Sequence, residues 1–319
     1  MRLVAMLFWL LAFTAVPALA QAPNAPLQML ERQLAATAAE NPGEYGIAAL
    51  DLANGDVVSV NGNTPFPMAS TVKVAVAATY LSEVDAGRRS LDDQVNGVSA
   101  GTLMYAMLTR SDNHATDQLL AMLGGPAVVD RWLRVHNLQG IRMDRTIAQL
   151  LSAHRDLRDI RDSSTPMAML RLLQMIDTGQ ALSPESRDRL LDMMGRCVTG
   201  TNRIRALLPR GTRVEHKTGT LDGYTGDVAF VTLPDNRRIA MVLFARGGEN
   251  RPAVIATAAR AIYDGFNADG SMQGAAFAFQ GQASGPAMGL QNSRAIPAMS
   301  TRHVASSKPD GSAGLEPMR

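Results

Sequence analysis

Three short motifs hold the residues able to do nucleophilic chemistry. In Ser70-Thr71-Val72-Lys73 a hydroxyl and an amine stand three positions apart, on one helix face and within reach of each other. Val72, Val74, Ala75, Val76, Ala77, Ala78, Tyr80 and Leu81 leave this helix almost no polar face, so the spacing predicts a buried helix from Ser70 to Val84. A lysine in such surroundings loses its proton more readily and can act as base toward a neighbouring hydroxyl. Ser70 opens the helix, where free N–H groups and the dipole favour a developing anion.

Ser111-Asp112-Asn113 is the second motif. Ser111 could pass a proton to a leaving nitrogen, Asn113 could bind an amide, and Asp112 would hold nearby backbone. Lys217-Thr218-Gly219-Thr220 is the third, at the end of a predicted strand. Lys217 offers a fixed charge, Thr218 and Thr220 offer hydroxyls to a carboxylate, and Gly219 would let a ligand approach the backbone. The N–H groups of Thr220 and Ser70 could form an oxyanion hole. Apart from Lys308, Lys73 and Lys217 are the only lysines; arginine serves the surface.

The elements positioning these residues emerge from pattern. Leu27 to Ala39 reads as an amphipathic helix, Tyr45 to Leu52 and Val57 to Val60 as strands joined by Asn54-Gly55, and Gly87 as a helix stop. Helical spacing recurs at Leu103–Thr109, Ala115–Leu123, Ala127–His136 and Met167–Ile176. Strands return at Arg213–Lys217, Asp227–Leu233 and Arg238–Ala245, and Arg251–Phe266 is a last amphipathic helix. The expected fold is α+β: a mostly antiparallel sheet from both chain ends (27–66 and 198–266), flanked by terminal helices, with an all-α part (67–197) inserted.

With 46% hydrophobic and 19% charged residues, the 319-residue chain can bury a real core. Its net charge of +2 comes without a basic stripe, which argues against nucleic acid as a partner. Cys197, the lone cysteine, excludes an internal disulfide; its apolar neighbourhood shows no nearby base and reads as a buried structural thiol. The histidines lack metal-ligand spacing, so neither metal nor cofactor is expected. Arg2, the apolar run Leu3–Ala15 and Ala18-Leu19-Ala20 read as a signal peptide cleaved after Ala20, giving a periplasmic or secreted protein without a stable membrane anchor, expected to be monomeric. Residues 21–266 form the expected catalytic domain, and the Gly/Ala/Ser/Met/Pro-rich residues 267–319 a disordered tail.

In this order the three motifs resemble those of class A β-lactamases and penicillin-binding proteins. Class A β-lactamases are also resembled at Phe66-Pro67-Met68-Ala69, Val84-Asp85-Ala86-Gly87, Ser90-Leu91-Asp92-Asp93, Gly124-Gly125, Met143-Asp144-Arg145 and Ser163-Ser164-Thr165-Pro166, within a stretch from Leu27 to Phe266. The resemblance implies β-lactam opening through an acyl-enzyme on Ser70, with Lys73, Ser111 and Lys217 catalytic and Asn113, Thr218, Gly219 and Thr220 binding substrate. It also implies that Arg145 and Asp162 pair across the neck of an Ω-loop. Two other readings stay open: a D-Ala-D-Ala carboxypeptidase or transpeptidase, and a non-catalytic β-lactam-binding sensor.

Three departures matter. The glutamate that activates the deacylating water in the family falls at Ile147, and the asparagine that helps hold it falls at Leu151. Only Asp156, Asp159 and His154 remain as candidates in the loop, which is slightly longer than usual. The stretch from Ser70 to Ser111 is short, which implies an open cleft. No arginine comes closely after Gly226; Arg246 lies far along. Ready acylation and slow turnover are expected.

Overall fold

The computed structural model describes residues 25–282, with side chains to Ala268. The signal peptide, its cleavage site at Ala20 and residues 283–319 lie outside the described residues. The chain divides into two compact units, Met1–Ala275 and Ala276–Arg319, and the first holds the main sheet, the inserted helices and all three motifs.

Helix α1 (Ala25–Glu40) leads into strands β1 (Glu44–Asp51), β2 (Val57–Val60) and the short β3 (Phe66–Pro67). A 3-10 turn, Ala69–Val72, runs into α2 (Lys73–Asp85). The hairpin of β4 (Gln94–Val95) and β5 (Val98–Ser99) precedes α3 (Ala100–Thr109), α4 (Asn113–Leu123), α5 (Pro126–Val135) and α6 (Ile147–Ser152). Next come β6 (Ser163–Ser164), α7 (Pro166–Asp177) and α8 (Pro184–Gly195). Strands β7 (Val214–Leu221), β8 (Tyr224–Thr232) and β9 (Arg238–Arg246) and helix α9 (Arg251–Gln282) complete the described chain.

The main sheet has the order β2-β1-β9-β8-β7 with every pairing antiparallel, as the pattern predicts. Strands β1, β8 and β9 are buried along almost their whole length because both faces of the sheet are covered. In β9, Ile239, Met241, Leu243 and Ala245 pack in one core with α1 and α9, while Ala240, Val242 and Phe244 join a second core with the inserted helices. Helix α2 lies in that second core, with every residue from Lys73 to Leu81 buried. Burial on all sides explains its lack of a polar face.

Three boundaries differ from the sequence pattern. β7 runs through the whole Lys217-Thr218-Gly219-Thr220 motif, and a two-residue turn, Asp222-Gly223, joins it to β8. Asp-Gly is a hairpin dipeptide, so the signal is present in the sequence. Likewise Asn96-Gly97, with φ of 52° and 76°, closes the β4–β5 hairpin that fills the short stretch between α2 and α3. Finally, α9 continues past Phe266 to Gln282 instead of giving way to an irregular tail at Asn267. The Ala-rich composition of that stretch supports helix despite its glycines.

Candidate active site

The site forms where the two halves of the fold meet. Ser70 sits in the 3-10 turn, half-buried, after Ala69 at φ +47°, a conformation that costs a non-glycine residue on the order of 1–3 kcal/mol. The turn is held by its neighbours: Met68 N–H donates to the Asp162 carbonyl at 3.0 Å, and β3 pairs with β6 at the base of the Ω-loop. Its other side packs against β7, the edge strand of the sheet. The contact is close enough to require glycine at 219, where a Cβ would lie 2.5 Å from the Met68 carbonyl oxygen. Gly219 therefore admits the turn of its own chain on its Cβ side.

Lys73, the first residue of α2, is fully buried. Its Nζ donates to the Ser111 carbonyl at 2.7 Å, Asn113 Oδ1 at 2.7 Å and Ser111 Oγ at 3.2 Å. Burial first, and then the charge of Lys217, lowers the lysine to about 7, partly opposed by Asp112 and Asp117. The expected Ser70–Lys73 hydrogen bond is not formed: among the described residues the Ser70 hydroxyl has no hydrogen-bond partner. The 3-10 turn ends where α2 begins, and the three donors of the ammonium are occupied by the second motif.

Ser111 links the two lysines. It stands at φ +61° between α3 and α4, and its hydroxyl accepts from both Lys73 and, at 2.9 Å, Lys217. Asp112 does what its position implies, capping α4 by accepting from Ala115 N–H at 2.8 Å. Lys217, also fully buried, is lowered to about 8 chiefly by burial, with Cys197 and Asp227 opposing the shift and Arg203 adding to it. Its Nζ also donates to the Thr218 carbonyl at 2.9 Å.

The structure adds a residue that no motif announced. Arg203, 8% exposed, lies against the third motif and donates to the Gly219 carbonyl at 3.0 Å, the Gly226 carbonyl at 2.8 Å and Thr220 Oγ1 at 2.6 Å. It precedes a short 3-10 turn, Ile204–Leu207, with no local pattern to mark it. Arg246 is committed elsewhere, donating to Glu44 at 2.8 Å and to the carbonyls of Pro65 and Leu157. Thr218 Oγ1 is 2.6 Å from Thr199 Oγ1.

The Ω-loop closes as expected. Arg145 Nε donates to Asp162 Oδ2 at 2.5 Å, and the other Asp162 oxygen accepts from the N–H groups of Asp144 and Arg145. Ile147 is 4% exposed and belongs to the core of the inserted helices. Thr146 and Gln149 form a capping box at the start of α6, and Asp117 accepts from the Ile147 and Ala148 N–H groups. His154, Asp156 and Asp159 line a narrow crevice that also touches Pro67 and Ala69. Asp159 is drawn down to about 2 mainly by its hydrogen bond to Arg161. Among the described residues no group of three or more His, Cys, Asp or Glu side chains could hold a metal ion, and no helix is long and apolar enough to cross a membrane.

An antiparallel sheet with an inserted helical half, and a serine flanked by two buried lysines at their junction, define a serine acyl-transfer hydrolase. Residues 29–266 match the profile of the beta-lactamase enzyme family. Among similar proteins, β-lactamase CTX-M-97 from Escherichia coli is 30% identical over 267 residues, 76% of this chain and 91% of that protein. The carbapenem-hydrolyzing β-lactamase KPC from Klebsiella oxytoca is 30% identical over 84% of this chain and 97% of its own. A class A β-lactamase described as the last common ancestor of Gram-negative bacteria superposes with a TM-score of 0.70 at 34% identity, covering 74% of this chain and 99% of that one. The chain belongs to the β-lactamase family and is a serine hydrolase of the class A type.

Proposed function

We propose that the protein opens β-lactam rings through an acyl-enzyme on Ser70 and releases the product slowly. The convergence of Lys73 and Lys217 on the Ser111 hydroxyl, beside the turn that carries Ser70, is the observation that supports this most directly. Lys73, deprotonated, takes the Ser70 proton as Oγ attacks the lactam carbonyl. The N–H groups of Ser70 and Thr220 receive the oxyanion. Ser111, held between two amines, delivers its proton to the departing nitrogen as the C–N bond breaks and takes in its place the proton that Lys73 removed from Ser70. Asn113 binds the substrate amide; Thr218 and Thr220, with Lys217 behind them, receive its carboxylate.

Slow release is expected from Ile147. A core isoleucine stands where the family places the glutamate that activates water. The same feature favours a second reading, a D-Ala-D-Ala peptidase or a sensor that stays acylated. We further infer a monomer that is exported, cleaved after Ala20, and active in the periplasm or outside the cell; the mass of the mature N-terminus tests this.

Intact-mass spectrometry over time, with a penicillin and a cephalosporin and with Ser70→Ala as control, tests the main reading. An adduct that forms on wild type, is absent from the variant and persists for minutes to hours is expected. Clearance within seconds would mean that another base serves the deacylating water. Release of D-Ala from a stem peptide would favour the peptidase, and no adduct at all would overturn the reading.

A further inference from the structure

Behind the third motif lies a chain of polar side chains that β-lactam opening does not use. Cys197, 3% exposed, ends the segment after α8, and its Sγ is 3.2 Å from Thr199 Oγ1. Thr199 Oγ1 is in turn 2.6 Å from Thr218 Oγ1. On the other side stands His216, fully buried on β7, with Nδ1 at 3.0 and 3.2 Å from the two oxygens of Asp227, itself fully buried on β8. Its Nε2 is buried and has no hydrogen-bond partner of ordinary geometry among the described residues, although thiol and imidazole influence each other strongly. Cys197, Thr199 and Thr218 thus lie in hydrogen-bonded series, ending on the hydroxyl assigned to the substrate carboxylate, with the His216–Asp227 pair buried nearby.

We propose that Cys197 is a positioning residue which, with His216, Asp227 and Thr199, sets the direction of the Thr218 hydroxyl and thereby gates recognition of the ligand carboxylate. The proposal rests on Thr218 receiving that carboxylate, as the proposed function has it.

The number of available protons decides the direction. Thr199 and Thr218 each have one hydroxyl proton. When Cys197 is a thiolate it can only accept, so Thr199 donates to it and must accept from Thr218, whose proton is then turned inward. When Cys197 is a thiol and His216 carries a hydrogen on both nitrogens, the thiol cannot donate to the ring and donates to Thr199. Thr199 then donates to Thr218, whose own proton is free for a carboxylate in the cleft.

The groups facing this chain favour a switch near neutrality. His216 is raised to about 9: burial opposes the charge, but Asp227, and then Cys197, more than offset it. Cys197 is lowered to about 7 against the effect of burial by His216, Thr199 and Lys217. Arg203 faces the same region and senses both Asp227 and Cys197, and Arg205 donates to the Cys197 carbonyl at 3.3 Å. Above about 7 the thiolate form prevails, and carboxylate recognition weakens.

The test measures acylation of Ser70 in the mature protein by a chromogenic cephalosporin and by its methyl ester, from pH 5.5 to 8.5. Wild type is expected to prefer the acid over the ester at low pH and to lose about tenfold of that preference as pH rises through 7, one hydrogen bond's worth. Cys197→Ser keeps a hydroxyl that can donate but does not titrate here, so it should hold the preference as pH rises through 7 and lose it only as Lys217 deprotonates through about 8. Cys197→Ala removes the acceptor that turns the Thr218 proton inward, so its ratio should not fall as pH rises through 7. Thermal melts of both variants establish that they are folded. A wild-type acid/ester ratio that does not change with pH, or a Cys197→Ser ratio that falls as wild type does, overturns the proposal. Failure of wild type to acylate with either compound would instead sink the Ser70 reading.

Discussion

Lys73 and Lys217 come from opposite halves of the fold and donate to the same oxygen, Ser111 Oγ, at 3.2 and 2.9 Å. Two ammonium groups around one hydroxyl, both buried, repel each other, and the arrangement relaxes when Lys73 gives up its proton. In the proposed mechanism this gives a base near neutral pH with a cation next to it.

This relationship fixes a pH profile. On the proposed mechanism acylation needs Lys73 neutral and Lys217 charged. Its rate should rise as Lys73 deprotonates through about 7 and fall as Lys217 deprotonates through about 8. The two limbs belong to the coupled pair and form a narrow bell. Single-turnover acylation against pH measures it, and Lys217→Arg, charged at every pH used, should abolish the alkaline limb. A rate independent of pH from 5 to 9 would remove Lys73 from the role of base.

The same burial has a cost in stability, with a definite sign. Lys73 titrates at 10.5 when unfolded and about 7 when folded. Between these values the unfolded chain binds the extra proton, so stability rises with pH through that window and the penalty is fully present below about 7. Lys73→Met should therefore melt higher than wild type at pH 6, by on the order of 1–3 kcal/mol, with the gap closing toward pH 10. Acylation should fall at least about 100-fold. Equal melting temperatures at pH 6 would show that the buried ammonium is fully compensated by Ser111 and Asn113.

Much of this site is legible in the sequence because its parts are local. A serine and a lysine three apart on an apolar helix and an aspartate before a helix are visible as spacing, while Arg145 with Asp162 is legible only through the resemblance to class A β-lactamases. Arg203 is not, because what defines it is a contact with the Gly219 and Gly226 carbonyls, and no local pattern shows that the segment before Ile204 lies against the β7–β8 hairpin. His216 likewise looks remote from Cys197 until β7 lies beside the segment after α8. For Gly219 the residue type announces a close approach but not its neighbour, since sequence cannot say which backbone comes close.

Ile147 bears on product release. Ile147→Glu places a carboxylate at a 4% exposed position next to the N-terminus of α6. Burial without a partner should cost about 1–3 kcal/mol. The adduct on Ser70 should nevertheless clear faster, about tenfold or more, if a water is activated there. Adduct lifetime by intact mass and the melting temperature measure both effects together. A destabilised variant whose adduct lasts as long as wild type's would show that the residue's position, and not only its type, has been lost for hydrolysis.

The Ω-loop depends on Asp162, whose two oxygens accept from three donors at its neck. Asp162→Ala leaves Arg145 Nε and two N–H groups without their acceptor, and Arg145, 14% exposed, keeps its 3.3 Å contact with Asp159. A loss of about 1–3 kcal/mol is expected for leaving these donors unsatisfied while Asp159 still balances the charge. Because Met68 N–H bonds to the carbonyl of this same residue, the effect should reach the Ser70 turn. Hydrogen exchange should accelerate across residues 146–161 and at Met68 before it does in β8 and β9. Uniform acceleration would mean that the clasp stabilises the whole domain and not the loop.

Gly219→Ala tests how closely β7 must approach the nucleophile. The added Cβ would meet the Met68 carbonyl at 2.5 Å, Thr71 Cγ2 at 3.1 Å and Ala69 Cβ at 3.3 Å. The Met68 oxygen cannot retreat easily, since it accepts from both the N–H and the hydroxyl of Thr71, at 3.0 and 2.8 Å. The turn and the strand must therefore separate, at about 1–3 kcal/mol. The same shift moves Ser70 away from Thr220, and the two N–H groups that would receive the oxyanion no longer converge. Acylation should fall by about 100-fold, more than the loss of stability accounts for, when measured well below the melting temperature. A variant that melts lower but acylates at the wild-type rate would show that Thr220 contributes nothing to the oxyanion site.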